Sequence, residues 1–326
     1  MAISDEPAVD VRDLKKSFAD VHAVDGLTFH VRRGEIFGLV GPDGAGKTTT
    51  MRVLAGILHP DGGEASVFGC DVVHNPEGVK SLISYMPQRF GLYEDLTVKE
   101  NIRFYADLFG VTRRDREEKA SMLLRACGMS QFTDRLAGKL SGGMKQKLGL
   151  VCALIHTPKL LLLDEPTNGV DPVSRREFWA ILYNLVGQGV TVLSSTSYLD
   201  EAERCQRVAL IHKGRLLFCD QPARLKERIP GAVIAVVSSH ATHLRNEFTT
   251  ADGVTNVILV GDAVHVFVDD AGRRIPQLRE KLDADGIPYD EIVQITPTIE
   301  DLFVEAVTGQ LPEEPAQPIL AAPSAQ

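Results

Sequence analysis

From Val9 to about Asp220 short apolar runs alternate with amphipathic ones, the pattern of strands separated by helices. Val9–Phe18 and Ala23–Val31 read as early β-rich segments, and Ile36–Val40 is an unbroken apolar run of strand length. A glycine-rich turn follows, then a helix over Lys47–Leu58. A mostly helical stretch covers Thr97–Cys127, and another helix opens at Ser141. Leu160–Leu163 predicts a buried strand, Pro172 starts a helix, and Val190–Ser194 is a further strand. Fully apolar strands alternating with helices predict a parallel α/β sheet covered on both faces.

The pattern changes at Gln221–Pro230, where a short basic helix (Arg224–Arg228) ends at Pro230-Gly231. Beyond it lie a strand (Ala232–Val237), a helix (His243–Phe248) and two strands within Val254–Val268 meeting at Gly261-Asp262. A helix (Ile275–Ala284), a strand (Glu291–Ile295) and a last helix (Thr298–Val307) complete a small α+β domain. The final segment carries four prolines without apolar periodicity and reads as a disordered tail. The expected organisation is an extension (1–8), an α/β domain (9–229), a small accessory domain (230–309) and a tail (310–326).

Composition narrows the class. A net charge of -9 argues against a general nucleic-acid binder, which shows a basic field, but not against a nucleotide site built from backbone dipoles. Five scattered cysteines form no C-x-x-C pair and read as reduced thiols of a cytosolic protein. The acidic N-terminus lacks the pattern of a signal peptide, and no apolar run reaches the roughly 18–20 residues of a membrane helix. The expectation is a soluble protein whose membrane role, if any, comes through a partner.

Two motifs carry chemistry. Gly41-Pro-Asp-Gly-Ala-Gly-Lys47-Thr48 fits G-x-x-x-x-G-K-[ST] between an apolar strand and a helix, the context it requires. Backbone N–H groups of Gly41, Pro42's successors Asp43, Gly44, Ala45 and Gly46, and the helix N-terminus at Thr48 and Thr49 can surround phosphates. Lys47 can reach the β- and γ-phosphates and Thr48 can offer its hydroxyl to Mg²⁺. Asp164-Glu165 ends the Leu160–Leu163 strand. Adjacent strand side chains diverge, so Asp164 can hold Mg²⁺ through water while Glu165 polarises the attacking water.

Between them, Leu140-Ser-Gly-Gly-Met-Lys-Gln146 resembles the signature sequence of ABC ATPases. The resemblance covers about residues 9–220. It implies a P-loop fold with a RecA-like core, an antiparallel β subdomain and a helical subdomain. It also implies ATP and Mg²⁺ as cofactors, and a second ATP-binding domain whose nucleotide faces Ser141, Gly142 and Gly143. By the same resemblance Phe18 stacks on adenine, Gln88 touches Mg²⁺ and senses the membrane domain, and Asp171 in Asn168-Gly-Val-Asp-Pro belongs to the D-loop.

Two positions depart from that family's pattern. Asp43 stands where Asn is usual, placing a carboxylate near the phosphates. Ser197 in Ser194-Ser-Thr-Ser-Tyr-Leu-Asp-Glu-Ala-Glu203 replaces the switch histidine, and its short hydroxyl cannot reproduce an imidazole contact to the γ-phosphate. Slow hydrolysis at this chain's own site and an asymmetric ATPase pair are therefore expected, with Glu165 and Ser197 as the catalytic positions; the alternatives are a homodimer, a soluble ABC regulatory protein outside transport, or a nucleotide-dependent binder with little hydrolysis. Tyr85-Met-Pro-Gln-Arg-Phe-Gly-Leu-Tyr-Glu-Asp-Leu-Thr97 and the switch region are similar to ATPases of ABC-2-type exporters, above all the first nucleotide-binding half of YbhF-type multidrug exporters. That likeness implies membrane permease partners, a HlyD-like periplasmic adaptor acting indirectly, and a position on the inner face of the cell membrane. Pro297-Thr-Ile-Glu-Asp-Leu-Phe303 resembles the end of the accessory domain of such ATPases. The apolar side chains of Phe90, Leu92, Tyr93 and Leu96 are candidates for a socket that receives a membrane subunit.

Overall fold

The first strands pair as an antiparallel hairpin, β1 (Val9–Phe18) with β2 (Val21–Val31), in a computed structural model that describes residues 6–308. β3 (Ile36–Val40) follows with every residue buried, and α1 (Lys47–Leu54) leaves the glycine-rich turn. This helix is one turn shorter than expected, because the N–H groups of Gly56, Ile57 and Leu58 fold back onto Val53 and Arg52. Five further elements come next: β4 (Gly62–Val67), β5 (Cys70–Asp71), α2 (Pro76–Leu82), β6 (Ile83–Met86) and α3 (Val98–Leu108). α4 (Arg113–Ala126) is separate from α3, since Thr112 caps a new helix there by accepting from Asp115.

α5 (Gly142–Leu154) and β7 (Leu160–Asp164) lead to α6 (Pro172–Gly187), β8 (Thr191–Thr196), α7 (Leu199–Ala202), β9 (Arg207–His212) and β10 (Arg215–Asp220). One sheet has the order β2-β1-β4-β5. A second, six-stranded sheet runs β10-β9-β3-β8-β7-β6, with β9, β3, β8, β7 and β6 parallel. The expected parallel α/β sheet is therefore present, and its central strands β3, β7 and β8 are wholly buried, β3 and β7 as their apolar runs require, β8 with its serine and threonine side chains buried beside Val192 and Leu193. Side chains from both sheets, including Val9, Leu27, Phe37, Leu160 and Leu193, share one apolar core with Leu54 of α1.

The chain divides into two compact units at Cys219/Asp220. The short helix α8 (Pro222–Lys226), which the sequence reading kept with the first domain, falls in the second unit and packs against that unit's last helix with Leu225 fully buried. The second unit continues with β11 (Ala232–Val237), α9 (Ala241–Phe248), β12 (Val254–Val260), β13 (Ala263–Val268), α10 (Ala271–Asp285), β14 (Glu291–Ile295) and α11 (Ile299–Val307). This βαββαβ chain forms an antiparallel sheet of order β12-β13-β11-β14, a split-βαβ arrangement. Ile234, Val236, Val264 and Val266 meet Leu244, Phe248 and Leu278 of α9 and α10 on one face. Toward α11, buried His265 hydrogen-bonds Asp301 at 2.7 Å, and Asn256 donates to Glu305. The tail expected over 310–326 and the start of the extension lie outside the described residues.

Candidate functional site

The phosphate-loop segment begins where β3 ends. A Cβ on Gly41 would sit 2.2 Å from the Ile211 carbonyl oxygen, and one on Gly46 2.3 Å from that of Ala23, so both positions admit only glycine. The turn is closed by Ala45 N–H on Pro42 and by Thr50, whose hydroxyl donates to Gly46. Asp43 and Gly44 form its exposed tip, while Ala45 and Gly46 are buried. The Lys47 ammonium, only 4% exposed, donates to the carbonyls of Gly41 (2.8 Å) and Pro42 (3.0 Å) and lies 3.0 Å from Glu165 Oε1. Thr48 and Thr49 follow on the first turn of α1, half-buried, at the positive end of the helix dipole.

Parallel pairing of β8 with β7 on one side and β3 on the other brings the acids to this loop. Asp164 Oδ1 accepts from Thr48 Oγ1 (3.1 Å) and from Ser195 Oγ (2.6 Å), and its Oδ2 accepts from Tyr85 OH (3.3 Å). Burial, reinforced by the Asp164 charge, pushes the Tyr85 phenol up to about 12, so it stays a donor. Glu165 sits just past the strand at φ 49, a left-handed conformation uncommon for a side-chain-bearing residue and one that clusters at functional sites. Its backbone N–H donates to both the carbonyl and the hydroxyl of Ser195. Its Oε2 accepts from Gln88 (3.1 Å) and Asn168 (3.3 Å).

The residues predicted to share a site thus do so: the 41–48 loop, Gln88, Asp164 and Glu165. A hydroxyl and a carboxylate are hard oxygen donors suited to Mg²⁺, which takes few protein ligands and leaves its other positions to water and phosphate. That donor set fits even though the described residues hold no cluster of three His, Cys, Asp or Glu side chains. Phe18 stands apart at the end of β1, 48% exposed, with the Lys16 ammonium 5.6 Å from its ring centroid. Ser141 caps α5 by accepting from Met144, and it and Gly142 are exposed. Among the described residues no hydrogen bond or ion pair links this segment to Lys47, Asp164 or Glu165. Asp171 caps α6 by accepting from Val173 and Ser174, and the Ser174 N–H is the main reason its carboxyl lies below the usual range. Ser197 is half-buried just past β8, and its hydroxyl has no hydrogen bond among the described residues.

The sequence assigns no role to four contributors: Tyr85, Ser195, Asn168 and Tyr198, whose hydroxyl donates to Asn168 Oδ1. The segment after Gln88 packs on α3, where Phe90 meets Tyr105, Tyr93 meets Phe104, and buried Asn101 bonds the Tyr93, Leu96 and Thr97 backbone. Tyr93 (48%) and Phe104 (39%) still show a side to solvent. The thiols of Cys127, Cys152 and Cys205 are raised by burial. No helix among the described residues is long and apolar enough to cross a membrane.

A family model described as ABC transporter matches residues 24–168. The chain is 44% identical over 308 residues to the probable multidrug ABC transporter ATP-binding protein YbhF of Escherichia coli (strain K12), covering 93% of this chain and 53% of that one. The chain thus spans about half the length of that relative. It is 34% identical over 311 residues to the daunorubicin resistance ATP-binding protein DrrA2 of Streptomyces coeruleorubidus, covering 94% and 96% of the two chains. With the Nod factor export ATP-binding protein I of Burkholderia pseudomallei (strain 1710b) it shares 38% over 263 residues, 80% of this chain and 86% of the other. Among solved structures, an ATP-binding subunit of an ABC transporter superposes with a TM-score of 0.61 at 31% identity, over 68% of this chain and 92% of that one.

Proposed function

Because the chain belongs to the ABC transporter ATP-binding family, we propose that it binds and hydrolyses ATP to drive an ABC-2-type membrane exporter of drugs or other lipophilic molecules. The observation that carries this reading is the 3.0 Å approach of Lys47 to Glu165, beside Thr48 and Asp164 in hydrogen-bond contact. In this reading the 41–49 backbone and Lys47 hold the triphosphate, and Phe18 offers a face to adenine. Lys47 leaves Glu165 for the β- and γ-phosphates, freeing Glu165 Oε1 to orient the attacking water and accept its proton. Thr48 and Asp164, with Gln88 alongside, would hold Mg²⁺, which when bound supplies positive charge against the phosphate oxygens.

The exposed Ser141-Gly142 at the start of α5 faces outward, suited to the γ-phosphate of a second ATP-binding domain. Ser197 supports an asymmetric pair, in which this chain's own site is the slower one and its signature serves the faster. The half-exposed aromatic cluster of Tyr93 and Phe104 suits an apolar helix of a permease subunit, which would hold the protein on the cytoplasmic face of the membrane. ATPase assays on the purified chain test the chemistry. Lys47→Ala is expected to lose nucleotide binding, and Glu165→Gln to keep binding while losing turnover. Equal loss of binding in both would overturn the roles assigned to the two residues.

A further inference from the structure

Ser197 makes no hydrogen bond among the described residues, yet the carboxylate it would be expected to serve is held at both oxygens. Lys47 lies on Oε1, while Gln88 and Asn168 donate to Oε2. Lys47 and Gln88 both have tasks at the phosphates and the metal, so Asn168 is the one neighbour free to hold Glu165 throughout a cycle. Among the described residues one group meets its Oδ1: Tyr198 OH, immediately after Ser197, donates to Asn168 Oδ1 at 3.4 Å. With Oδ1 turned to the phenol, Nδ2 faces Glu165, and the flipped amide would set oxygen against carboxylate.

Tyr198 is itself well fixed. Its backbone N–H donates to Thr196 Oγ1 (3.1 Å), and the Arg175 guanidinium lies 4.2 Å from its ring centroid. Thr196 and Arg175 both converge on Glu201, a fully buried carboxylate that also accepts from Thr167 and Trp179. The chain of contacts therefore runs from a rigid buried anchor to the reactive carboxylate. Its two last contacts, 3.4 and 3.3 Å, are longer than ordinary side-chain hydrogen bonds, a loose coupling that leaves Glu165 room to turn.

We propose that Tyr198 is a positioning residue for Glu165, acting through the Asn168 amide, and that this relay orients the carboxylate in a chain whose switch position is Ser197. The proposal rests on the ATPase reading above. It is tested on the full chain with Tyr198→Phe, Asn168→Ala and the double variant, measuring kcat, KM and the binding of trinitrophenyl-ATP. Each single change is expected to lower kcat roughly two- to ten-fold with KM and binding unchanged. The double variant should be no slower than Asn168→Ala, because both changes break one relay. Tyr183→Phe, which removes a hydroxyl that donates to the Arg204 carbonyl instead, should leave kcat alone. An unchanged kcat in Tyr198→Phe, or losses that multiply in the double variant, overturns the relay. A wild-type rate no higher than that of Glu165→Gln would refute the ATPase reading instead. The relay then stands or falls on the Asn168 side-chain amide signal in a nitrogen-15 NMR spectrum. Tyr198→Phe and Glu165→Gln should each shift that signal, and its indifference to either overturns the proposal.

Discussion

Removing Lys47 should do more than abolish nucleotide binding; it should destabilise the protein before any nucleotide is added. The ammonium is buried against two carbonyls and Glu165 Oε1, all within 3.0 Å, so Lys47→Ala strips three acceptors of a donor at once. Breaking one side of a buried ion pair costs roughly 3–5 kcal/mol. Gln88 and Asn168 still donate to the other carboxylate oxygen, which places the expected loss at the lower end, about 3 kcal/mol. For a unit of this size each kcal/mol lowers Tm by roughly 2–4 °C, giving a drop of about 6–12 °C. Glu165→Gln keeps an oxygen for Lys47 to bond, so its own loss should be about 1 kcal/mol. In the double variant the orphaned charge is gone, and the combined loss should fall about 2 kcal/mol short of the sum of the two. Trp179, the one tryptophan, is buried in α6, so its fluorescence during urea unfolding reports this unit. Strict additivity, within about 0.5 kcal/mol, would refute the argument that Glu165 is the group left stranded.

Three other outcomes follow from the site. Ser195→Ala removes the 2.6 Å bond to Asp164 and one of the two acceptors of Glu165 N–H, leaving the Ser195 carbonyl, so the Mg²⁺ concentration for half-maximal ATPase should rise about five-fold. Nucleotide binding in chelator should be unaffected, and an unmoved Mg²⁺ curve would show that Ser195 does not position Asp164. In the asymmetric pair, Ser141→Arg should reduce turnover of the assembled ATPases more than Glu165→Gln does in this chain. Brisk turnover by this chain alone, indifferent to a partner ATPase, would sink that asymmetry. A cysteine at Tyr93 should crosslink to the membrane subunit of an active complex; with no crosslink formed, the aromatic cluster serves only to pack the loop on α3.

The parts of the fold readable in advance were those with one dominant signal. β3 and β7 are apolar at nearly every position and buried on both faces, so their sequence alone marks them as central parallel strands. Helices with side-chain caps were also legible, as with Ser141 before α5 and Thr298 before α11. The elements that escaped lack such a signal. β4 (GGEASV) opens with two glycines and buries only Ala65 and Val67, holding its place by pairing with β1. β5 has two residues and exists only through its partner β4. α2 hides behind a proline and a glycine, although Asn75 caps it.

The site divides along a similar line. Residues proposed to hold phosphate or metal occupy motifs with fixed spacing, so Lys47, Asp164 and Glu165 could be named from the chain alone. Residues that orient those groups are brought in by sheet register, which no spacing records. Ser195 reaches Asp164 because β7 and β8 pair with Asp164 opposite Ser195. A shift of one position would turn that hydroxyl to the other face. Tyr198 and Asn168 meet only because the turns after β8 and β7 lie side by side, thirty positions apart in the chain. This bears on how Ser197 is judged. Read along the sequence, the missing histidine implies a weakened site, since the motif has lost a member. In the fold, the same turn supplies a phenol next door that reaches the Glu165 carboxylate through one amide. Whether this chain hydrolyses ATP slowly therefore depends on how much of the imidazole's work was orientation, which Tyr198 can provide, and how much was direct contact with the γ-phosphate, which a serine hydroxyl cannot. The Tyr198→Phe and Ser197→His variants separate the two. If orientation dominates, the first lowers kcat and the second barely raises it; if contact dominates, Ser197→His alone lifts kcat and Tyr198→Phe is silent.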